Sequence, residues 1–568
     1  MAQEKLKNTN VVGDQFKRVR SAFVAVGVLS SAVNLLMLTG PIFMLQVYDR
    51  VLASQSVPTL LALLGLAIAL YMMMGLFDFL RARVLSRVSL WLDNQLAPLT
   101  FRSWVARSLS GYTPGYKPVQ DLTTVRGFLS SPVVLAVFDL PWFPFYLGVV
   151  FMLHFQLGLL ATFGMLVVVI LALLNEWMSG RSMQLTATAE LAENRFLDVT
   201  QRNADSVLAM GMLGNTTKTW HGLRNTSLAH QQVGSERSEF FKASSKSFRL
   251  LLQSAILGLG AYLAINREIS AGTIVAASII AGRALAPIDQ VIGSWRMIKR
   301  TRMSYKRLSN YLARDASDVP INVQLPVPNG NVEVKNVVKF ALNTEPGSER
   351  RTILGDVSFT LKPGEGLGVI GPSASGKSTL ARLLVGLWMP DQGSIRIDGA
   401  TFEQWDLDEL GQHIGYLPQQ VELISGTIAE NIARFDATVN DEDVIAAATL
   451  AGIHQMILSL PDGYSTDADN AVSPLTGGQV QRIALARALY KMPRILVLDE
   501  PNSNLDAEGD AAMANAILAM RESGAVVIVM AHRPSAIAAV DKLLMLNKGR
   551  VMEFGDKSEV LAKVTQSA

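Results

Sequence analysis

In the first 300 residues, apolar positions gather into six blocks, at about 21–46, 59–80, 133–153, 157–174, 250–265 and 273–292. A helix needs roughly 20 apolar residues to cross the hydrocarbon layer of a bilayer, so the blocks predict six membrane spans, two of them short or interrupted. The first is longer than the core of about 7 to 15 residues of a cleaved signal peptide and is read as a span. Residues 1–20 before it are polar and basic, with Lys5, Lys7, Lys17, Arg18 and Arg20. From Val332 onward the pattern changes: short apolar runs of strand length alternate with helical ones, which predicts an α/β domain.

The connections between blocks are unequal. Those after the first, third and fifth are short, whereas 81–132 and 175–249 are long and carry Arg81, Arg83, Arg87, Arg102, Arg107, Arg126, Arg181, Arg195 and Arg202. Basic residues beside spans mark the cytoplasmic side, so both long connections and both termini are expected inside. Helices of about 25 residues there would reach roughly 35 to 40 Å into the cytosol. Within the blocks, Asn34 is read as an interhelical hydrogen-bonding group, with a substrate-path contact as the other reading. Asp78 and Arg81, three apart, are expected to form a snorkelling ion pair. Asp139, Pro141 and Pro144 break the start of the third span beside Trp142, Phe143 and Tyr146, an interfacial aromatic anchor or a hinge. The basic run Arg296, Lys299, Arg300, Arg302, Lys306 and Arg307 reads as the inner end of the sixth span.

Composition sharpens this division. Charged residues are 17% of the 568, below the quarter or so of a usual soluble domain, and mean hydropathy is +0.27. A net charge of +3 gives no reason to expect a nucleic-acid partner. With no cysteine, disulfides, thiol chemistry and cysteine-ligated metals are excluded. The expected parts are a cytosolic segment 1–20, a six-helix membrane domain 21–312, a Pro-containing linker 313–330 and a nucleotide domain 331–568.

The chemistry is concentrated in Gly371-Pro372-Ser373-Ala374-Ser375-Gly376-Lys377-Ser378, between the apolar run 366–370 and a helical run opening at Thr379. Strand, glycine-rich loop and helix together are the context of a phosphate-binding P-loop, in which backbone N–H groups and a lysine meet phosphates and a serine hydroxyl serves Mg²⁺. The apolar run 495–498 ends in Asp499 and Glu500, a Walker B arrangement: Asp499 for the Mg²⁺ shell, Glu500 to orient and deprotonate a water.

Leu475-Thr476-Gly477-Gly478-Gln479, about twenty residues before that strand, resembles the signature motif of ATP-binding cassette proteins, and the chain looks like an ABC exporter with fused membrane and ATP-binding domains. The resemblance implies ATP and Mg²⁺ as ligands. It implies roles for Gln419 in Mg²⁺ and water contact, for Asp506 in the D-loop and for His532 as the switch histidine, with Thr476 where the family usually has serine. Ala341, with Phe340 before it, stands where the family often stacks an aromatic residue on adenine, and the segment 467–474 lacks the glycines and glutamate common there. The stretches 34–52 (NLLMLTGPIFMLQVYDRVL), 138–147 (FDLPWFPFYL) and 500–506 (EPNSNLD) are similar to type I secretion ATPases of Gram-negative bacteria. That likeness implies a multi-pass protein of the bacterial inner membrane working as a homodimer. Its partners would be a membrane fusion protein and an outer-membrane channel of the TolC type, and its substrate an unfolded protein with a carboxy-terminal signal. It also implies that residues 1–20 are too short for the peptidase-like domain of some relatives. Two other readings stay open: an exporter of lipids or small hydrophobic molecules, and a nucleotide-gated channel or regulatory subunit, which Glu500 and His532 oppose.

Overall fold

A computed structural model describes residues 11–108, 116–313, 325–341, 351–468, 475–502, 505, 507–531 and 537–566. The chain divides into two compact units, Met1–Asp318 and Val319–Ala568.

Among the described residues of the first unit, six helical stretches are long and apolar enough to cross a membrane: Arg20–Ser54, Val57–Arg107, Pro132–Leu153, Phe155–Met178, Leu213–Ile265 and Ala271–Gly293. The long connections are helical, as their composition predicts. Helix Val57–Ser108 runs for 52 residues, helix Phe155–Arg202 for 48 and helix Leu213–Ile265 for 53, so spans two, four and five continue well past the apolar blocks. The last two pack along each other. Where they meet, Gly164 makes room for Leu252: a Cβ there would lie 2.2 Å from Leu252 Cδ2, and the leucine would have to shift.

The third span is broken where its prolines and Asp139 predict. Helix Pro132–Asp139 gives way to one tight turn at Leu140–Trp142 before helix Phe143–Leu153. Proline is well placed at the first position of a helix, where its missing N–H is not needed. Two expectations change here. The amino-terminal segment is not simply polar: Val11–Arg18 is a helix whose Val12 and Phe16 pack with Leu96, Leu122, Tyr305, Leu308 and Tyr311. The basic run after residue 295 is a separate helix, Trp295–Ala313, which leaves the sixth span at Ser294.

Arg81 also differs from expectation. It does not snorkel: it is 5% exposed and its guanidinium is anchored on three sides. Nη1 donates to Asp139 Oδ1 at 2.8 Å and to Ser30 Oγ at 3.0 Å, and Nε donates to Asp78 Oδ1 at 2.7 Å. Asn34 completes the cluster, donating Nδ2 to the same Asp139 oxygen at 2.7 Å and accepting the Tyr146 hydroxyl on Oδ1 at 2.9 Å. Spans one, two and three are thus joined by one buried polar network. Asn34 is the interhelical group anticipated, and the break at Asp139 supplies the carboxylate.

The second unit carries two sheets. An antiparallel sheet orders β2 (Thr352–Leu361), β1 (Val332–Phe340), β4 (Gln392–Ile397) and β5 (Ala400–Thr401). The larger sheet orders β10 (Arg550–Asp556), β9 (Lys542–Asn547), β3 (Gly366–Ile370), β8 (Val526–Met530), β7 (Ile495–Asp499) and β6 (Ile414–Leu417). From β9 to β6 the strands are parallel, and only β10 runs against its neighbour. Strands β7 and β8 are buried throughout, as continuous apolar runs in a sheet covered on both faces should be. Parallel strands gather their carboxyl ends at one edge, where α/β proteins place ligands.

Candidate functional site

Three strands of the larger sheet deliver the site. The P-loop leaves the end of β3, Asp499 and Glu500 stand at the end of β7, and Gln419 follows β6 by two residues. The helix Lys377–Leu384 starts directly after the loop, with Gly376 at φ 103 as its amino-terminal cap residue. Glycine is needed at both ends of the loop: a Cβ on Gly371 would lie 2.1 Å from the Leu546 carbonyl oxygen, and one on Gly376 2.6 Å from Leu354 Cδ2. Ala374 also takes a left-handed φ of 61. Ser373, Pro372 and Ala374 form the bend, and the Ser375 N–H donates to Pro372 O at 3.2 Å.

The loop is shaped for an anion. The Ser375 hydroxyl is buried and has no partner. The Lys377 ammonium turns back onto its own loop, donating to the carbonyl oxygens of Gly371 at 2.8 Å and Pro372 at 3.1 Å. Those carbonyls are neutral, and burial pushes the Lys377 pKa down despite the nearby Glu500 and Asp499. A phosphate would offer this cation the full negative charge it lacks, together with the N–H groups at the start of the helix. Thr379 lies in the first turn of that helix.

On the other side, Ser378 Oγ donates to Asp499 Oδ1 at 3.2 Å, and Gln419 Nε2 donates to Glu500 Oε2 at 3.0 Å. Four of the residues singled out from sequence therefore meet as two bonded pairs at the carboxyl edge of the sheet. Burial pushes the Asp499 pKa up, with the Glu500 charge adding to it and the Ser378 hydrogen bond opposing it. A hydroxyl, a carboxylate and an amide oxygen are hard oxygen donors of the type Mg²⁺ takes, alongside phosphate oxygens and water. Glu500 itself has φ 53, a left-handed conformation that costs a non-glycine residue on the order of 1 to 3 kcal/mol. Its N–H is fixed by donation to Met530 O at 3.0 Å, so the adjacent strand holds the strained turn in place.

The signature residues open the helix Gly477–Leu489. Thr476 is its cap: the hydroxyl accepts the Gln479 N–H at 3.4 Å, and Gln479 Oε1 accepts the Thr476 N–H at 2.8 Å. This reciprocal capping box frees the remaining N–H groups of the first turn, including those of Gly477 and Gly478. It is visible in sequence as a threonine followed three residues later by glutamine. Nothing lies within 4 Å of a Cβ built on Gly477, so this helix end is open. A link missed in the sequence joins the helix to the hydrolytic strand: Gln481 Nε2 donates to Pro501 O, beside Glu500. Asp506, His532 and the segment 469–474 lie outside the described residues. Phe340 ends β1, with its N–H on Asp391 Oδ2 at 2.9 Å.

A P-loop, a Walker B strand, a glutamine between them and a capped signature helix, on a chain with six spans, define an ATP-binding cassette transporter. Residues 354–503 match the ABC transporter family. Over its full length the chain is 44% identical to the type I secretion system ATP-binding protein PrsD of Rhizobium meliloti, covering 99% of this chain and 96% of that one. It is 27% identical to the alpha-hemolysin translocation ATP-binding protein HlyB of Proteus vulgaris, over 96% of this chain and 77% of that one. The solved structure of a bacterial Atm1-family ABC exporter with ATP bound has the same fold, with a TM-score of 0.83, 24% identity, and coverage of 97% of this chain and 99% of that one. The chain belongs to the type I secretion ATP-binding proteins, within the ABC transporters. It is a multi-pass membrane protein whose ATP hydrolase drives transport, with the ATPase domain in the cytoplasm.

Proposed function

We propose that two copies of this chain form the inner-membrane ABC exporter of a type I secretion system, which hydrolyses ATP to move a protein substrate out of the cell. The observation that carries this reading is the union, in one chain, of six spans with the paired Ser378–Asp499 and Gln419–Glu500 cluster. The family supplies the direction of transport and the protein class of the cargo. By chemistry, Lys377, the P-loop N–H groups and the Ser375 hydroxyl bind the phosphates, and Glu500 takes the proton of the attacking water while Gln419 orients its carboxylate. Ser378, Asp499 and Gln419 would hold Mg²⁺, which when bound offsets phosphate charge. His532 and Asp506 are assigned here by motif, at the γ-phosphate and in the D-loop. The partners proposed are a membrane fusion protein, a TolC-type outer-membrane channel and a cargo with a carboxy-terminal signal. Deleting the gene is expected to remove one or more proteins from the culture medium, read by comparing secreted proteins. Accumulation of a lipid with an unchanged secretome would replace protein cargo with a lipid.

The open end of the signature helix supports the dimer. Gly477 is exposed, the first turn is capped by Thr476, and none of the described residues lies within 4 Å of a Cβ built on Gly477. A phosphate held by the P-loop of a second copy would satisfy them. Shared sites make a complementation test decisive. Lys377→Ala spoils one chain's P-loop, and Gly477→Asp puts a negative charge at the other chain's signature. Each homodimer should be inactive, while co-expressed chains should regain ATPase, because a mixed dimer keeps one intact pairing. No recovery would place each site within a single chain.

Motion is proposed to pass through two short connections, near 120–127 and 208–213. The first lies on helix Pro118–Leu129, and the second spans the turn between helix Ala204–Ala209 and helix Leu213–Ile265.

A further inference from the structure

One cation in the ATPase unit is used in a way the reaction scheme above does not account for. Arg434 follows the short helix Ile428–Ile432, and both it and Phe435 have φ 57, two successive left-handed residues that are not glycine. Its guanidinium donates four hydrogen bonds, all to backbone carbonyls. Nε reaches Arg487 O at 2.9 Å, Nη2 reaches Ala488 O at 3.0 Å, and Nη1 reaches Gly411 O at 2.9 Å and Ile414 O at 3.0 Å. Among the described residues no carboxylate pairs with it. Burial, followed by the neighbouring Arg487 charge, pulls its pKa down to about 10.

The four acceptors are not arbitrary. Arg487 and Ala488 lie in the last turn of the signature helix, and Gly411 lies in the last turn of helix Leu407–Gln412. Carbonyls at these positions have no partner within their helix and carry the negative end of its dipole. Ile414 is the first residue of β6, the strand that leads to Gln419. Arg487 in turn sends Nη1 to Glu422 O at 3.5 Å, three residues beyond Gln419. The segment that carries Gln419 is therefore tied on both flanks to the last turn of the helix whose first turn carries Thr476 and Gly477.

We propose that Arg434 is a positioning residue for hydrolysis: it keeps the signature helix in register with the β6 strand, so that the γ-phosphate end of that helix and the Gln419–Glu500 pair take up their working arrangement together. The proposal rests on the roles given above to Gln419, Glu500 and the signature helix. Arg434 touches none of the P-loop residues in the hydrogen bonds described, so it should act on turnover and not on nucleotide capture.

The test uses the full-length transporter in detergent or liposomes, with Arg434→Met and Arg434→Lys. Lysine keeps the charge but loses the planar fork that meets four carbonyls at once. The expected result is a kcat lower by about tenfold in the methionine variant, with a smaller fall in the lysine variant, and an unchanged KM and ATP stoichiometry. If the methionine variant does not fold, the lysine variant carries the test. A kcat per bound nucleotide equal to that of the unmodified protein would mean a purely structural strut and overturn the proposal, as would a loss that appears in KM. Adding Arg434→Lys to Gln419→Ala should lower kcat no further than Gln419→Ala alone, because both act through one element. Fully additive losses would overturn it. Turnover that persists in Glu500→Gln would fault the assignment of the base and not the Arg434 link.

Discussion

Glu500→Gln is expected to stop steady ATP turnover, with a fall of about 100-fold to 10,000-fold in kcat, while ATP still binds. The side chains have the same shape, so the amide fits the strained turn at φ 53 and leaves the Glu500 N–H on Met530 O undisturbed. What is lost is the ability to accept a proton from water. The P-loop is untouched, so nucleotide should remain bound and the dimer should stay closed around it. Phosphate release, nucleotide occupancy and the size of the ATP-loaded particle measure the three parts. Normal turnover in this variant would mean that another group is the base.

The second large effect is expected in the membrane unit. Arg81→Ala would leave Asp139, 9% exposed, with Asn34 as its remaining side-chain donor in a cluster of spans one to three. Removing one partner of a buried ion pair costs about 3 to 5 kcal/mol, because the surviving charge has no compensation. The variant should therefore melt at a lower temperature in detergent and accumulate to a lower level. Asp139→Asn placed in the same chain should recover part of the loss, since it removes the stranded charge and retains an acceptor for Asn34. An Arg81→Ala protein as stable as the unmodified one would show that the network is wet in the membrane.

The contrast between these two sites explains what the sequence could reveal. Gly371 to Ser378, Asp499–Glu500 and Gln419 are legible because phosphate chemistry restricts residue type at each position and strand-loop-helix context restricts spacing. The six spans are legible because hydrocarbon excludes charge over a fixed length. The Asp78–Arg81 pair was legible at three residues' distance and forms, but the burial of Arg81 was not, because its second carboxylate, Asp139, lies 58 positions away beside a proline-containing break. Arg434 was not singled out at all: its partners are carbonyls, which every residue has, so no side-chain pattern marks them. The Val11–Arg18 helix was hidden by its charge, with Val12 and Phe16 turned toward the core.

The 53 residues of helix Leu213–Ile265 contain no proline and no described interruption. At 1.5 Å per residue that is a rod of about 80 Å, of which the bilayer accounts for less than half. Such a rod would act as a lever with its fulcrum in the membrane: a tilt imposed at the cytosolic tip would carry through to the far leaflet. Cargo passage would then be gated by stiffness, and the force of each nucleotide cycle would be spent on the cargo instead of on bending the machine.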